Sequence, residues 1–210
     1  MNKTDNFERE LPEGYRQVKH INAKDVKMGL LLNGIAFAIL LVGETIAVIP
    51  LIISAVISIL NGSFTMNIDP ISTLIALVVF LVAMLVYVVL HELVHGIAYK
   101  CLTGEKLTFG LHWSCAYCGV PNIYTYRRTA LISLVAPLIV FTVILIPVTV
   151  FLYFVDPLYY FLSVCLLCCH LGGCSGDIYC TLLFLFKFRD KRILMRDTGP
   201  EQFIYEIEEN

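Results

Sequence analysis

Four long runs of apolar residues, separated by short polar segments, dominate the pattern along the chain. They extend from Gly29 to Leu60, from Ile71 to about Lys100, from Thr129 to Phe154 and from Leu158 to Phe186. Each run is longer than the ~20 residues that a helix needs to cross the hydrocarbon core of a bilayer. The pattern therefore predicts four transmembrane helices.

The basic residues alternate with these runs in a way that predicts the orientation of the chain. The segment Asn61–Pro70 and the turn at Asp156-Pro157 have no Lys or Arg. The other polar segments carry Lys3, Arg9, Arg16, Lys19, Lys24, Lys27, Arg127, Arg128, Lys187, Arg189, Lys191 and Arg192. Because cytoplasmic segments are enriched in Lys and Arg, both termini are predicted to be cytoplasmic. We therefore expect an N-terminal tail over 1–28, a four-span membrane domain over 29–186 and a C-terminal tail over 187–210.

Composition supports an integral membrane protein and says little about partners in water. Hydrophobic residues make up 58% of the chain, charged residues 15%, and the mean hydropathy is +0.79. A soluble domain is nearer 45–50% apolar and 25% charged. A net charge of −2, with no basic patch, does not favour nucleic-acid binding. The first 28 residues show no apolar stretch after a basic start, so no cleaved signal peptide is expected.

The segment between the second and third runs has a different pattern. Residues 106–111 alternate weakly, as a strand does, and Pro121-Asn122 is typical of a turn. The predicted fold class is all-α integral membrane, with a short hairpin or re-entrant segment here. Such a segment offers a sheet edge to an extended peptide. The alternative is that its aromatic residues, among them Tyr117 and Tyr124, anchor it at the membrane interface.

The second apolar run ends in His91-Glu92-Leu93-Val94-His95, which has the pattern H-E-x-x-H. Residues four apart lie on one face of a helix, so both histidines can direct a ring nitrogen at one ion. Zn²⁺ binds imidazole readily and supports hydrolysis without redox chemistry. Glu92 then has the position of a general base that deprotonates water. The alternative is a pair of helix-face histidines satisfied by neighbouring side chains.

A catalytic zinc usually has three protein ligands, and three more ionisable residues in apolar sequence are candidates. At ~1.5 Å per residue, His91, His95 and Asp177 all lie about 8–15 Å inside the cytoplasmic ends of their helices. His170 lies roughly 10 Å further outward if its helix is unbroken, which favours a packing or supporting role. Asp177 is therefore the expected third ligand, or else a buried carboxylate with another partner. Glu44 is either a supporting or substrate-path residue or a protonated packing residue.

Cysteines add one further motif. Cys115 and Cys118 form C-x-x-C, but the sequence shows neither a second pair for a zinc knuckle nor the βαβ context of a redox site. The cysteines near the fourth run lie in apolar sequence, where a free Cys behaves as a small hydrophobe.

Several segments together carry a family resemblance. The H-E-x-x-H motif and Gly176-Asp177 on a later span resemble the site-2 protease type of intramembrane zinc metalloprotease. Leu11-Pro12-Glu13-Gly14-Tyr15, Tyr117-Cys118, Ala136-Pro137 and Ser175-Gly176-Asp177 resemble a family of small bacterial membrane zincin peptidases. The resemblance implies a zinc site completed by the later aspartate. No Asn-Pro element precedes Asp177 and no glycine follows it, and Asn33 and Asn122 do not replace the missing Asn.

The predicted function is hydrolysis of a peptide bond in a membrane-spanning or membrane-proximal protein. Glu92 is the expected catalytic residue, and His91, His95 and Asp177 are the expected Zn²⁺ ligands. The expected location is a bacterial plasma membrane, with the lipid bilayer and a peptide substrate as partners and no nucleic acid. The main alternative is a non-catalytic scaffold or degenerate protease that binds transmembrane partners. A weaker alternative is a small transporter with Glu44, His170 and Asp177 as a relay.

Overall fold

Long helices account for most of the chain in a computed structural model that describes residues 6–63, 69–112 and 115–208. The helices are α1 (Val26–Leu60), α2 (Pro70–Thr103), α3 (Arg127–Tyr153), α4 (Pro157–Gly173) and α5 (Ser175–Leu182), the last continued by a π-helical turn over Leu183–Lys187. Within the described residues, α1, α2, α3 and the combined stretch Pro157–Lys187 are long and apolar enough to cross a membrane. This confirms the four apolar helices that the sequence predicts.

The outward faces of these helices explain why the sequence reads as a membrane protein. Large side chains such as Leu81, Val89 and Val143 are more than half exposed. Lipid is a favourable environment for apolar side chains. An α-helix also satisfies its backbone hydrogen bonds internally, so it can be surrounded by lipid. The fourth span is interrupted at Cys174, between α4 and α5, where glycines flank the break. Small residues permit such a departure from regular helix.

The chain divides into two compact units. The first gathers the chain up to Leu32, Val88–Val140 and the chain from Cys174 onward, and the second gathers Asn33–Tyr87 and Phe141–Gly173. The first contains the strands, the H-E-x-x-H motif and Asp177. The second consists of helical segments only, among the residues described.

The first unit corrects the all-α prediction, because the described residues include seven strands. Five of them form one sheet in the order β1-β5-β6-β7-β2, with β1 (Phe7–Glu8), β2 (Tyr15–Asn22), β5 (Tyr124–Tyr126), β6 (Ile193–Asp197) and β7 (Glu201–Ile207). All neighbouring strands in it are antiparallel. Segments that the sequence predicts to be tails thus supply four of its strands.

The sheet forms because the terminal segments bury one apolar face against the helix ends. Leu194 and Ile204 are fully buried, and the hydrophobic core of the unit joins strand residues to helix residues such as Tyr99, Leu134 and Phe184. Each fully buried aliphatic side chain stabilises the fold by about 1.5–3 kcal/mol relative to exposure. The sheet therefore fixes the ends of α2, α3 and α5 relative to one another.

A second, two-stranded antiparallel sheet lies in the segment predicted to be a hairpin or re-entrant loop. β3 (Thr108–His112) pairs with β4 (Cys115–Gly119), with Phe109 opposite Cys118. Residues 113 and 114, where the connection of a hairpin falls, lie outside the described residues. A Cβ on Gly96 of α2 would stand 2.6 Å from the Phe109 ring. Gly96 therefore lets β3 pack directly on the helix that carries H-E-x-x-H.

Candidate metal centre

Helix α2 and helix α5 bring three potential ligands together in the first unit. Asp177 Oδ2 lies 3.4 Å from His91 Nε2 and 3.4 Å from His95 Nε2. Both histidines are 7% exposed, and the three ligand atoms lie within 4.8 Å of one another. Asp177 occupies the first turn of α5, directly after the break at Cys174. The break therefore starts a new helix at the depth of the two histidines.

The spacing of these atoms fits a zinc ion. Zn–N and Zn–O bonds are about 2.0–2.2 Å long, so two ligands at a tetrahedral angle are separated by about 3.4 Å. The two histidine–aspartate separations in the structure equal this value. Two imidazoles and one carboxylate are also a donor set found in catalytic zinc sites, which keep one position open.

The hydrogen bond of His95 fixes which of its nitrogens is available. His95 Nδ1 lies 2.8 Å from the carbonyl oxygen of Ser133 on α3. A carbonyl only accepts, so Nδ1 donates a proton to it, and Nε2 is the nitrogen that would bind an ion. This arrangement of a ligating histidine held by a backbone carbonyl is common around protein-bound zinc.

Glu92 is one residue further along α2 and faces β4. Its side chain is partly buried, and the backbone amide of Cys118 lies close enough to its carboxylate to interact with it. The carboxylate is close enough to the three-ligand cluster to interact electrostatically with all three of its members. Glu92 therefore lies between β4 and the three-ligand cluster.

Tyr99 and Asp197 form a buried polar pair next to the end of β4. The Tyr99 hydroxyl, one turn beyond His95, donates to Asp197 Oδ2 at 2.7 Å, and Gly199 N donates to Asp197 Oδ1 at 2.8 Å. The backbone N–H of Val120 donates to the Asp197 carbonyl at 2.8 Å. Burial raises the pKa of Asp197 to about 6, although the Tyr99 and Gly199 hydrogen bonds lower it.

Two glycines allow the end of β4 to lie against the turn that follows β6. A Cβ on Gly119 would stand 2.3 Å from Gly199 N, and a Cβ on Gly199 would stand 2.3 Å from the Tyr117 ring. Gly199 also has a φ of +99°, a conformation that other residues rarely adopt. The β6–β7 turn therefore sets the position of β4, which in turn contacts Glu92.

His170 and Glu44, the other ionisable candidates, belong to the second unit. His170 is fully buried, with Nδ1 3.0 Å from the Tyr87 hydroxyl and Nε2 3.1 Å from the Thr142 hydroxyl. Both ring nitrogens thus have hydroxyl partners in this unit. The carboxylate of Glu44 lies beside the Cys165 thiol.

The C-x-x-C motif shows no sign of a reactive thiolate at its described member. Cys118 is buried, and burial together with the charge of Asp197 raises its thiol pKa to about 12. A thiol of this kind stays protonated at neutral pH. The side chain of Cys115 lies outside the described residues.

Of the four supporting groups, three have no signal in the sequence motifs. The Ser133 carbonyl and the Cys118 amide belong to the backbone, so residue type carries no signal for them. Tyr99 does have a signal, since His91, His95 and Tyr99 follow one another at intervals of four residues on one face of α2. Asp197 is recognisable only through the fold, because it reaches Tyr99 across 98 residues of sequence.

Comparison with known families identifies the region that contains this cluster. A family model described as "Putative zincin peptidase" matches residues 84–191, which include His91, Glu92, His95 and Asp177. Comparisons with curated proteins and with solved structures find no match. The matched region covers more than half of the 210 residues. The chain therefore belongs to this zincin peptidase family.

Proposed function

We propose that this protein is a zinc-dependent metallopeptidase that cleaves a membrane-spanning or membrane-proximal protein within the membrane boundary. The convergence of His91 Nε2, His95 Nε2 and Asp177 Oδ2, with Glu92 beside them, is the observation that carries the proposal. Membership of a zincin peptidase family supports a metallopeptidase in the coarser sense. Zinc bound there would polarise the scissile carbonyl and make a water molecule more acidic.

In this proposal, side chains of the protein bind the ion and transfer the proton. His91, His95 and Asp177 hold the ion. Glu92 takes a proton from the attacking water and delivers it to the leaving amine, a role that contributes about 10²–10⁴-fold to rate. The Cys118 amide lies beside the Glu92 carboxylate, and the Ser133 carbonyl orients His95.

The position of the cluster supports cleavage inside the membrane boundary. His95 precedes the end of α2 at Thr103 by eight residues, or roughly 12 Å of helix. Asp177 precedes Lys187 by ten residues, or roughly 15 Å. On the expected topology, these depths belong to the cytoplasmic half of the bilayer, and water enters from that side.

β4 is the element best placed to bind the substrate. Within the described residues, β4 pairs only with β3, so one of its edges has no strand beside it. An extended peptide can add to such an edge through main-chain hydrogen bonds. Since β4 contacts Glu92 through Cys118, a peptide on this edge would lie close to the catalytic group. A helical substrate would have to unwind locally to bind in this way.

The test compares two Glu→Gln variants of the full-length protein in cell membranes. Glu92→Gln removes the proposed base, whereas Glu105→Gln removes an acid that only pairs with Arg9 at the surface. New protein N-termini in the membrane fraction are identified by mass spectrometry, and zinc is measured in each purified protein. We expect new N-termini with the wild type and Glu105→Gln, none with Glu92→Gln, and equal zinc in all three.

Two results would contradict catalysis. If Glu92→Gln generates the same N-termini as the wild type, Glu92 is not the base. If the wild type generates none while binding zinc, the protein is a non-catalytic scaffold of the kind that the sequence leaves open.

A further inference from the structure

Helix α3 carries a proline in its interior, four residues after the carbonyl group that contacts His95. Pro137 lies ten residues after Arg127, the first residue of α3, and its side chain is fully buried. Ser133, whose carbonyl oxygen is 2.8 Å from His95 Nδ1, precedes Pro137 by four positions. In an α-helix, the N–H of one residue donates to the carbonyl four residues earlier. Residue 137 is therefore the position that would normally supply the partner of the Ser133 carbonyl.

The Ser133 carbonyl has no such partner because proline has no backbone N–H. In a regular helix, the ring of a proline also clashes with the carbonyl four residues earlier, which favours a carbonyl that is directed away from the helix axis. Both effects act on the same group. Pro137 therefore leaves the Ser133 carbonyl available to a donor from outside α3.

A carbonyl freed in this way needs another donor, because α3 is long and apolar enough to cross a membrane and Ser133 is 0% exposed. Backbone groups that a proline frees inside a membrane are paired by neighbouring helices or side chains. His95 Nδ1, on α2, is the donor that the structure provides, and His95 itself is only 7% exposed. The buried carbonyl and the buried ring N–H therefore satisfy each other.

The same hydrogen bond determines how His95 can meet a metal ion. A proton on Nδ1 leaves Nε2, which is 3.4 Å from Asp177 Oδ2, as the nitrogen that would bind zinc. Such an outer hydrogen bond fixes the ring orientation of a ligating histidine and raises its basicity. If residue 137 had an N–H, the Ser133 carbonyl could accept the ordinary helical bond, and His95 would have to compete for it.

A second proline in α3 provides an internal comparison. Pro147 also lies inside the helix, and the carbonyl four residues before it belongs to Val143, whose side chain is 67% exposed. Pro147 is itself exposed, whereas Pro137 and Ser133 are buried. The two prolines thus remove the same donor from one helix, but only Pro137 does so beside a candidate metal ligand.

We propose that Pro137 is a positioning residue of the metal centre, because its missing N–H frees the Ser133 carbonyl to hold His95 as a zinc ligand. This role rests on the zinc site of the proposed function, but it does not require peptidase activity. Proline has no side-chain donor or acceptor, so its effect passes through the backbone of Ser133. Pro137 also provides a sequence signal for this carbonyl, which the identity of residue 133 does not carry.

The test measures the zinc affinity of the full-length protein in detergent by competition with a chelator of known affinity. Pro137→Ala restores the N–H beside the metal centre, and Pro147→Ala restores it at the exposed proline. Ser133→Ala keeps the carbonyl and removes a buried hydroxyl that has no hydrogen-bond partner among the described residues. Apparent melting temperatures of the zinc-free proteins are measured in parallel.

We expect Pro137→Ala to bind zinc about 10–100-fold more weakly than the wild type, which is the usual loss when an outer hydrogen bond to a metal ligand is removed. Pro147→Ala and Ser133→Ala should bind zinc as tightly as the wild type. The melting temperature of zinc-free Pro137→Ala should stay close to that of the wild type, because the higher helix propensity of alanine offsets its smaller side chain. A purely structural role would lower the melting temperature together with the zinc affinity.

A second variant separates the missing N–H from the shape of the proline ring. Cell-free synthesis with nonsense suppression can place the α-hydroxy analogue of alanine at position 137, with an ester oxygen where Pro137→Ala has an N–H. This variant has the size of Pro137→Ala but no donor, so we expect it to recover the zinc affinity of the wild type. If it binds zinc as weakly as Pro137→Ala does, the loss comes from packing and the role of Pro137 is refuted.

Two outcomes of the zinc measurement separate this role from the proposed function. A wild type that binds no zinc contradicts the zinc site and, with it, the role of Pro137. A wild type that binds zinc no more tightly than Pro137→Ala overturns only the role of Pro137, and the zinc site stands.

Discussion

Asp197 gives the sharpest quantitative prediction, because it is only 3% exposed. Its carbonyl also accepts a hydrogen bond from Val120, the residue after the strand beside Glu92. Its pKa rises from the ordinary 3.8 to about 6 in the folded protein, mainly through burial. This difference corresponds to roughly 3 kcal/mol of stability. The ionised carboxylate therefore lowers the free energy of unfolding at neutral pH. Its hydrogen bonds with Tyr99 and Gly199 only partly offset this effect.

The sign of the pH dependence follows from the two pKa values. Between about pH 4 and 6 the folded state binds more protons at Asp197 than the unfolded state does, so this residue lowers stability as pH rises. Above about pH 6 the full penalty is present. Asn has nearly the same shape, accepts a hydrogen bond from Gly199 N and can donate to the Tyr99 hydroxyl.

We therefore expect Asp197→Asn to exceed the wild type in stability at pH 8 by up to about 3 kcal/mol. The difference should shrink as pH falls through 6 and vanish near pH 4. Denaturant unfolding in detergent, followed across this range, measures it. Asp190→Asn, the same change at an exposed residue, is the control. A constant difference between Asp197→Asn and the wild type at every pH would refute the assigned burial and ionisation of Asp197.

Three further predictions concern packing and the groups around the cluster. Gly199→Ala should lower the apparent melting temperature more than Gly62→Ala, because both have positive φ but only Gly199 has a ring 2.3 Å from the new Cβ; equal effects would exclude the Tyr117 contact. His170→Phe should keep its zinc in metal analysis while losing about 1 kcal/mol for each of two hydrogen bonds, and loss of zinc would make His170 a ligand. Alkylation with iodoacetamide at pH 8 should modify the exposed Cys101 well before the buried Cys118, and modification of Cys118 first would contradict its raised pKa.

The sequence predicts best those features that depend on local composition. The four long helices follow from the length of the apolar runs. The pairing of His91 and His95 follows from the helical repeat, and the depth of Asp177 follows from counting residues to the nearest basic cluster. The structure brings these three side chains together as that count implies, although their role as zinc ligands remains a proposal.

The sheet escapes prediction because its pairings are long-range and its strands lack a clear alternation. β2 is Tyr15–Asn22, a strand with one buried residue, in which Arg16, Lys19 and His20 interrupt any apolar pattern. It pairs with β7, from 179 to 192 residues away. No local rule specifies such a register, and charged tails beside membrane spans usually read as solvated segments. The supporting role of Asp197 depends on this sheet, so it was equally hidden, whereas Tyr99 shares a helix face with the two histidines.

The central claim is that His91, His95 and Asp177 form one zinc site. Metal analysis of the purified wild type alongside Asp177→Ala tests it most directly, with His170→Phe measured in parallel and apparent melting temperatures confirming that the proteins are folded. We predict one zinc per wild-type chain, loss of most of that zinc in Asp177→Ala, and full retention in His170→Phe. Zinc retained by a folded Asp177→Ala protein would contradict the site.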